Sequence, residues 1–167
     1  SSMKSITIIR HAESSGSSLG ILTDFDRPLN TRGLSDAKLM GSVLLNKKIN
    51  LDIIISSSAN RAINTAKIIA NQIQIDTNIL EHEKIYKSSY KELFDIITEL
   101  DDNINSAAFV GHNPTLHILS EKLSAKRFIE FPTCSIVKIN FNIKFWVDIS
   151  IGELEYFIFP ELYKNFN

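Results

Sequence analysis

The chain has 167 residues, of which 44% are hydrophobic and 22% are charged, a composition ordinary for one globular domain. Its 18 basic and 19 acidic residues give a formal charge of −1, which argues against a general binder of nucleic acids or membrane surfaces. The single cysteine, Cys134, excludes an intrachain disulfide and a cysteine-based zinc cluster. We see no secretory signal and no apolar run of the roughly 20 residues that span a membrane. We therefore expect one cytoplasmic domain over 1–167, with Ser1 and Ser2 as an expression scar.

The first half of the chain alternates between strand and helix patterns. In chain order it predicts a strand over 5–9, a Ser-, Gly- and Asp-rich loop over 14–30, a helix near 33–47 with Thr31 as N-cap, a strand over 51–55 and a helix near 59–74. A short strand near 78–81 and a helix near 90–100 follow. This alternation is typical of a parallel sheet covered by helices.

The second half begins with an apolar strand over 106–110 and a helix that Asn113 can cap, with Pro114 at its first position. Beyond Cys134, apolar and polar residues alternate over 137–141, 145–149 and 153–159, which predicts antiparallel strands joined by tight turns. The fold class expected is therefore α/β. It is a three-layer sandwich with a mostly parallel sheet, antiparallel strands at one side and helices on both faces.

Two histidines stand where apolar strands end. Arg10-His11-Ala12-Glu13 follows the first strand, and Gly111-His112-Asn113-Pro114 follows the strand over 106–110. Ligands of open α/β sheets bind outside the carboxyl ends of strands, so both histidines can converge on one ligand.

Cations and a helix start accompany these histidines. Arg61 lies one turn into the helix that follows Ser56-Ser57-Ser58, and Arg10 precedes His11. Arginine binds phosphate oxygens in a bidentate manner, and the helix after Gly111 offers free N–H groups, with the glycine allowing close backbone approach. The pattern predicts a pocket for a compact, multiply charged anion.

An imidazole beside a bound phosphoryl group can attack phosphorus and form a phosphohistidine. The attacking ring must be neutral, and a backbone carbonyl that accepts from Nδ1–H would leave Nε2 free. Arginines and a second histidine would stabilise the charge on the equatorial oxygens, and water would hydrolyse the intermediate. We expect no metal and no cofactor, since the chain has no Cys/His ligand set and no glycine-rich nucleotide loop.

The chain resembles the histidine phosphatase superfamily, which includes phosphoglycerate mutases and acid phosphatases. The motifs that carry the resemblance are, in chain order, Arg-His-Ala-Glu, Ser-x-x-x-Arg-Ala at 57–62 and Gly-His-Asn-Pro. The resemblance covers nearly the whole chain and implies a phosphoglycerate mutase-like fold. By this resemblance His11 is the nucleophile, and Arg10, Arg61 and His112 bind phosphate and take part in catalysis. We add Ser57, Gly111 and Asn113 to the predicted phosphate-binding residues.

Within that superfamily the chain resembles the small SixA-type phosphohistidine phosphatases, through Arg27-Pro28-Leu29-Asn30-Thr31-Arg32-Gly33 and Phe131-Pro132-Thr133-Cys134-Ser135. Mutases and small-molecule phosphatases of the superfamily usually carry long insertions between the second arginine and the second histidine. Only 50 residues separate Arg61 from His112 here, which leaves little for a lid. An open site would admit a phosphorylated histidine on a partner protein, such as a phosphotransfer domain.

The superfamily usually places a carboxyl near the third strand to protonate an oxygen leaving group. Glu83 best matches that place and Glu81 is its rival, while an ordinary solvated carboxylate is an equally good interpretation of Glu83. SixA-type members, as the resemblance implies, can do without this acid, because imidazole has a pKa near ~6.5 and can leave already protonated.

Three functions stay open from the sequence. The first is a metal-independent phosphatase that hydrolyses phosphohistidine on a partner protein, and the second applies the same chemistry to a small phosphate ester. The third is a phosphate-binding module without turnover. Arg27 and Arg32 either extend a positive rim toward a protein substrate or belong to a solvated loop.

Overall fold

A six-stranded mixed sheet forms the centre of the molecule, with strand order β3-β2-β4-β1-β5-β6. The computed structural model describes residues 3–16, 22–76 and 78–164, so the predicted scar and part of the 14–30 loop lie outside the described residues. The strands are β1 Lys4–Arg10, β2 Ile53–Ser56, β3 Ile79–Glu81, β4 Ser106–Gly111, β5 Ile136–Phe141 and β6 Glu153–Ile158. The helices are α1 Thr31–Asn46, α2 Asn60–Ile73, α3 Tyr90–Thr98 and α4 Thr115–Ser124.

Strands β1 to β4 are parallel to one another, whereas β5 runs antiparallel to β1 and to β6. The predicted α/β class, with antiparallel strands at one side, is confirmed. Because parallel strands end at the same edge, Arg10 of β1 lies opposite Gly111 of β4. Ser56 of β2 pairs with Val110, so the residues that follow these three strands share one edge.

Hydrophobic cores form on both faces of the sheet. Successive β1 side chains point to opposite faces, so Ile9 packs with the α1 and α2 side and Ile8 with the α3 and α4 side. Met40 of α1 and Leu93 of α3 are fully buried in the two cores. Each such side chain contributes about 1.5–3 kcal/mol through burial, which holds the sheet rigid beneath its loop edge.

The prediction of a strand over 145–149 is wrong. Trp146–Asp148 forms a 3-10 helix, and β5 pairs directly with β6. The Trp146 side chain is fully buried, its indole N–H donates to the carbonyl of Ile104, and its backbone N–H donates to Asp102. These bonds turn the segment toward the α3 side of the core and away from the sheet.

Two predicted helix caps are also wrong. Asn30, not Thr31, caps α1 by accepting from the N–H of Gly33 at 2.8 Å. Asn113 does not cap α4, which has no side-chain cap; its amide donates instead to the carbonyl of Phe131 at 3.1 Å. Across the described ranges, no helix is long and apolar enough to cross a membrane. That residues 1–167 form one domain stays a prediction.

Candidate active site

The ring of His11 is fixed by a bond to its own chain. Nδ1 lies 2.7 Å from the carbonyl oxygen of Ala12, and the residue is only 8% exposed. A carbonyl oxygen can only accept, so Nδ1 carries the proton and Nε2 keeps its lone pair. This is the neutral tautomer that nucleophilic attack through Nε2 requires.

Neighbouring strands hold the backbone of His11 from two sides. Its N–H donates to the carbonyl of Gly111 at 3.0 Å, which extends the β1–β4 pairing by one residue. Its carbonyl accepts from the N–H of Cys134 at 3.0 Å. Cys134 has a φ of 60°, so the tight turn before β5 bends its backbone toward the nucleophile strand. The sheet and this turn thus position the backbone of His11.

His112 faces His11 across the sheet edge. The two ring centroids are 5.3 Å apart, with planes inclined by 54°. Nε2 of His112 lies 2.7 Å from Oγ of Ser57, the residue that follows β2. Nδ1 is buried and has no hydrogen-bond partner among the described residues. It is therefore the ring nitrogen whose hydrogen-bonding capacity is left unused among the described residues.

Two arginines approach the same edge, and each is anchored through its terminal nitrogens. Nη1 of Arg10 donates to the carbonyl of Phe131 at 2.8 Å. Nη1 of Arg61 donates to the carbonyl of Asp24 at 2.7 Å, and its Nη2 donates to the Asp24 carboxylate at 3.1 Å. The Nε atoms of both arginines are buried and have no partner among the described residues. A buried donor without a partner costs free energy, so an anion that accepts from both atoms is favoured there.

The electrostatics keep both histidines neutral near pH 7. Burial lowers the pKa of His11 to about 4, and the charges of Arg61, Arg10 and Arg27 add to the effect, against the hydrogen bond to Ala12. Burial lowers the pKa of His112 to about 3, with His11 and Arg61 acting in the same direction. Two neutral rings among arginines leave the site positively charged, as a phosphoryl dianion requires.

The structure brings the principal predicted residues together. Arg10, His11, Arg61 and His112 meet at one edge of the sheet, and Ser57 joins them through its bond to His112. The role of each in binding or catalysis stays a prediction.

Other predicted residues lie differently. A Cβ at Gly111 would come within 3.0 Å of the Ile85 side chain, so this glycine makes room for core packing. The side chain of Asn113 points to Phe131, and its Oδ1 is buried without a partner among the described residues. Arg32 pairs with Glu13, Asp36 and Glu161, which favours a role in the surface network beside α1 over a rim for substrate.

The predicted acid is not in contact with this cluster. Glu83 begins the 3-10 helix Glu83–Ile85 and is exposed, as is its rival Glu81 at the end of β3. Neither carboxylate hydrogen-bonds or pairs with the histidines or arginines of the described site. The proton-donor role of Glu83 stays a prediction.

Sequence reasoning missed Asp24 and Tyr86. The Tyr86 hydroxyl donates to the Asp24 carboxylate at 2.6 Å, and the Tyr86 ring meets that of His112 edge-on at 5.6 Å. The only local signal was the spacing of Asp24 and Arg27, which form an i,i+3 ion pair. In the described ranges 3–16, 22–76 and 78–164, no three His, Cys, Asp or Glu side chains are grouped to hold a metal ion.

Comparison with known proteins identifies the family of the chain. Residues 6–85 match the model of the histidine phosphatase superfamily (branch 1). An uncharacterized protein of Mycobacterium tuberculosis is 30% identical over 154 residues, which cover 86% of this chain and 93% of that protein. The chain belongs to the histidine phosphatase superfamily. The predicted resemblance is thus confirmed, and so is the enzyme class, a phosphatase with a histidine nucleophile.

Solved structures of this superfamily share the fold over nearly the whole chain. A candidate phosphohistidine phosphatase SixA from Agrobacterium tumefaciens superposes with a TM-score of 0.82 at 22% identity, over 94% of this chain and 98% of that one. A protein histidine phosphatase SixA complexed with tungstate superposes with a TM-score of 0.83 at 18% sequence identity, over 96% of this chain and 99% of that one. At these identities the likeness establishes the phosphoglycerate mutase-like fold alone.

Proposed function

We propose that this histidine phosphatase removes the phosphoryl group from a phosphohistidine on a partner protein, with His11 as its nucleophile and no metal. The observation that carries the proposal is the bond from Nδ1 of His11 to the carbonyl of Ala12, which leaves Nε2 as the attacking atom. The ring needs no base, because it is already neutral well above its pKa of about 4.

The first step exchanges one phosphorus–nitrogen bond for another. Nε2 of His11 attacks phosphorus, the phosphorus–nitrogen bond to the substrate imidazole breaks, and that imidazole leaves as a neutral ring with the proton that its other nitrogen already carried. Three buried polar atoms of the cluster have no hydrogen-bond partner among the described residues, and we assign them to the equatorial oxygens: Nε of Arg10, Nε of Arg61 and Nδ1 of His112. In the tautomer that suits this role, Nε2 of His112 accepts from the Ser57 hydroxyl at 2.7 Å and the Nδ1–H group donates a hydrogen bond to the phosphoryl group.

The second step is hydrolysis of the phosphohistidine on His11. Water attacks phosphorus, the bond to Nε2 breaks, and inorganic phosphate leaves while His11 returns to its neutral form. The same donors stabilise the charge on the equatorial oxygens in both steps, because each step passes through a similar arrangement around phosphorus.

A protein substrate is favoured by what surrounds the site. Most of the described residues between Arg61 and His112 form the remainder of α2, then β3, the 3-10 helix Glu83–Ile85, α3 and β4, so this segment mainly builds the sheet and its helices. The residues on either side of Phe131, whose carbonyl anchors Arg10, contribute to the lining of an open apolar groove of about 430 Å³. Ile129 in its wall is 99% exposed. Contiguous exposed apolar surface is typical of a protein docking site.

Turnover of two substrates tests the proposal. We expect the protein to dephosphorylate a histidine-phosphorylated phosphotransfer domain much faster than it hydrolyses p-nitrophenyl phosphate, and His11→Gln to abolish both activities. His82→Gln is the matched control, since His82 lies outside the cluster of His11, His112 and the arginines. A preference for the ester would identify a small-molecule phosphatase, and no His11-dependent turnover of either substrate would identify a binding module.

A cytoplasmic location stays a prediction.

A further inference from the structure

One carboxylate gathers three side chains from three separate elements. Asp24 opens the 3-10 helix Asp24–Asp26, and its Oδ2 accepts from the Tyr86 hydroxyl at 2.6 Å and from Nη2 of Arg61 at 3.1 Å. Its Oδ1 accepts from Arg27, with Nη2 at 2.9 Å and Nε at 3.1 Å. Arg27 in turn donates to Ser14 and to the carbonyl of Ser15. Asp24 therefore joins the loop after the nucleophile, helix α2 and the segment after β3.

The Asp24 carboxylate binds the terminal nitrogen Nη2 of Arg61 and makes no hydrogen bond to Arg10, His11 or His112 among the described residues. Its charge still acts on His112, whose pKa it raises against the larger effect of burial. Asp24 takes only the terminal nitrogens of Arg61, and Nε remains buried and unpaired. Arg10 is bound in a similar way, because its Nη1 donates to the carbonyl of Phe131 and its Nε is buried without a partner among the described residues.

The carboxyl group of Asp24 is ionised near neutral pH. The hydrogen bond from Tyr86 and the guanidinium of Arg61 hold the pKa of its carboxyl below the usual range, while the same Tyr86 bond raises the pKa of that hydroxyl. The Arg61 side chain is 7% exposed and that of Asp24 is 56% exposed. A buried guanidinium is thus bound to a carboxylate that keeps its own contact with water.

We propose that Asp24 is a positioning residue of the phosphoryl site. It holds the terminal nitrogens of Arg61, which leaves Nε as a buried donor for a bound anion, and it fixes Tyr86 against the ring of His112. This inference rests on the proposed function, since it assigns Asp24 to the same anion site. The carboxylate of Asp24 accepts from a terminal nitrogen of Arg61, as the carbonyl of Phe131 accepts from a terminal nitrogen of Arg10. In each arginine the Nε–H donor has no partner among the described residues.

Equilibrium binding of inorganic phosphate tests this role without any turnover, so it is separable from the choice of substrate. We expect Asp24→Asn to weaken phosphate binding about tenfold by calorimetry, the loss that follows when a charge-assisted hydrogen bond is removed. Tyr86→Phe, which keeps the ring and loses the bond to Asp24, should weaken it by a smaller factor. Asp26→Asn removes the same charge from the same turn, and we expect it to bind phosphate as the unaltered protein does. Asp26 contacts Thr23 and neither arginine through its carboxylate.

A spectroscopic readout separates positioning from general damage. In the unaltered protein the Nε–H groups of Arg61 and Arg10 should both give protected NMR signals. Asp24→Asn should remove protection at Arg61 and leave that at Arg10, whose anchor is Phe131. Unchanged or tighter phosphate binding in Asp24→Asn would overturn the proposal, the tighter result showing that the carboxylate competes with phosphate. Equal loss of both Nε–H signals would also overturn it.

Discussion

The backbone N–H of Ala12 donates to Oγ1 of Thr65 at 3.0 Å, which ties the strand of the nucleophile to the helix of Arg61. The same hydroxyl donates to the carbonyl of Arg61 at 2.7 Å, so one buried side chain meets the backbone of both site segments. The carbonyl of Ala12 orients the His11 ring, and Thr65 holds the backbone of Ala12. Thr65 therefore affects the nucleophile indirectly, through Ala12.

Thr65→Val should therefore lower both stability and activity. The isosteric change leaves the N–H of Ala12 buried without a partner, which costs about 1–3 kcal/mol of unfolding free energy. Chemical denaturation measures that loss, and kcat should fall because the carbonyl that orients His11 is no longer held. Thr98→Val makes the same change at a half-buried position whose hydroxyl donates in an exposed hydrogen bond to Asp95, and the free energy of unfolding should change by no more than about 0.5 kcal/mol. Equal effects of the two variants would contradict this role of Thr65.

The two site histidines should titrate far below ordinary histidines. NMR titration of the imidazole signals should give a pKa of about 4 for His11 and about 3 for His112. Because the unfolded chain binds these protons near pH 6.5 and the folded chain does not, stability should fall as the pH drops from about 6.5 toward 4. The double variant His11→Gln, His112→Gln should lose that part of the pH dependence. A pKa near 6.5 for His11 would show that the ring is not desolvated.

Glu83→Gln distinguishes the leaving groups that the site can serve. If Glu83 protonates oxygen leaving groups, the change should slow hydrolysis of an alkyl phosphate about a hundredfold. Phosphohistidine hydrolysis should be spared, because an imidazole leaves with its own proton. Glu81→Gln is the matched control, two residues earlier at the end of β3, and both rates should survive it. Full activity of Glu83→Gln on the alkyl phosphate would remove Glu83 from the mechanism.

Gly33→Ala should destabilise the protein although alanine favours helices. A Cβ at Gly33 would lie 2.0 Å from the carbonyl oxygen of Glu13, which already accepts from the N–H of Asn30. We expect this overpacking to lower the free energy of unfolding by roughly 1–3 kcal/mol or more. The higher helix propensity of alanine returns about 1 kcal/mol, so the net effect is destabilising. Thermal unfolding checks the result. Gly16→Ala, where a Cβ meets nothing within 4 Å, should leave the midpoint nearly unchanged.

The sequence by itself determined the strand ends and the residues that stand on them. Continuous apolar runs such as Ile6-Thr7-Ile8-Ile9 predict buried parallel strands, and parallel strands end at one edge. His11 and His112 could therefore converge on one ligand, and the motifs around them were enough to name the superfamily. These features depend on local pattern and chain order, which a sequence displays directly.

Only the tertiary structure decided how those residues are held. Asp24 meets Arg61 across 37 positions, and Asn113 turns to Phe131 across 18, so neither partner was visible in a local pattern. The alternation of Phe145, Val147 and Ile149 predicted a strand, yet buried bonds from Trp146 to Asp102 and Ile104 favoured a 3-10 helix. Burial, which lowers the pKa of both histidines, likewise depends on packing from every side.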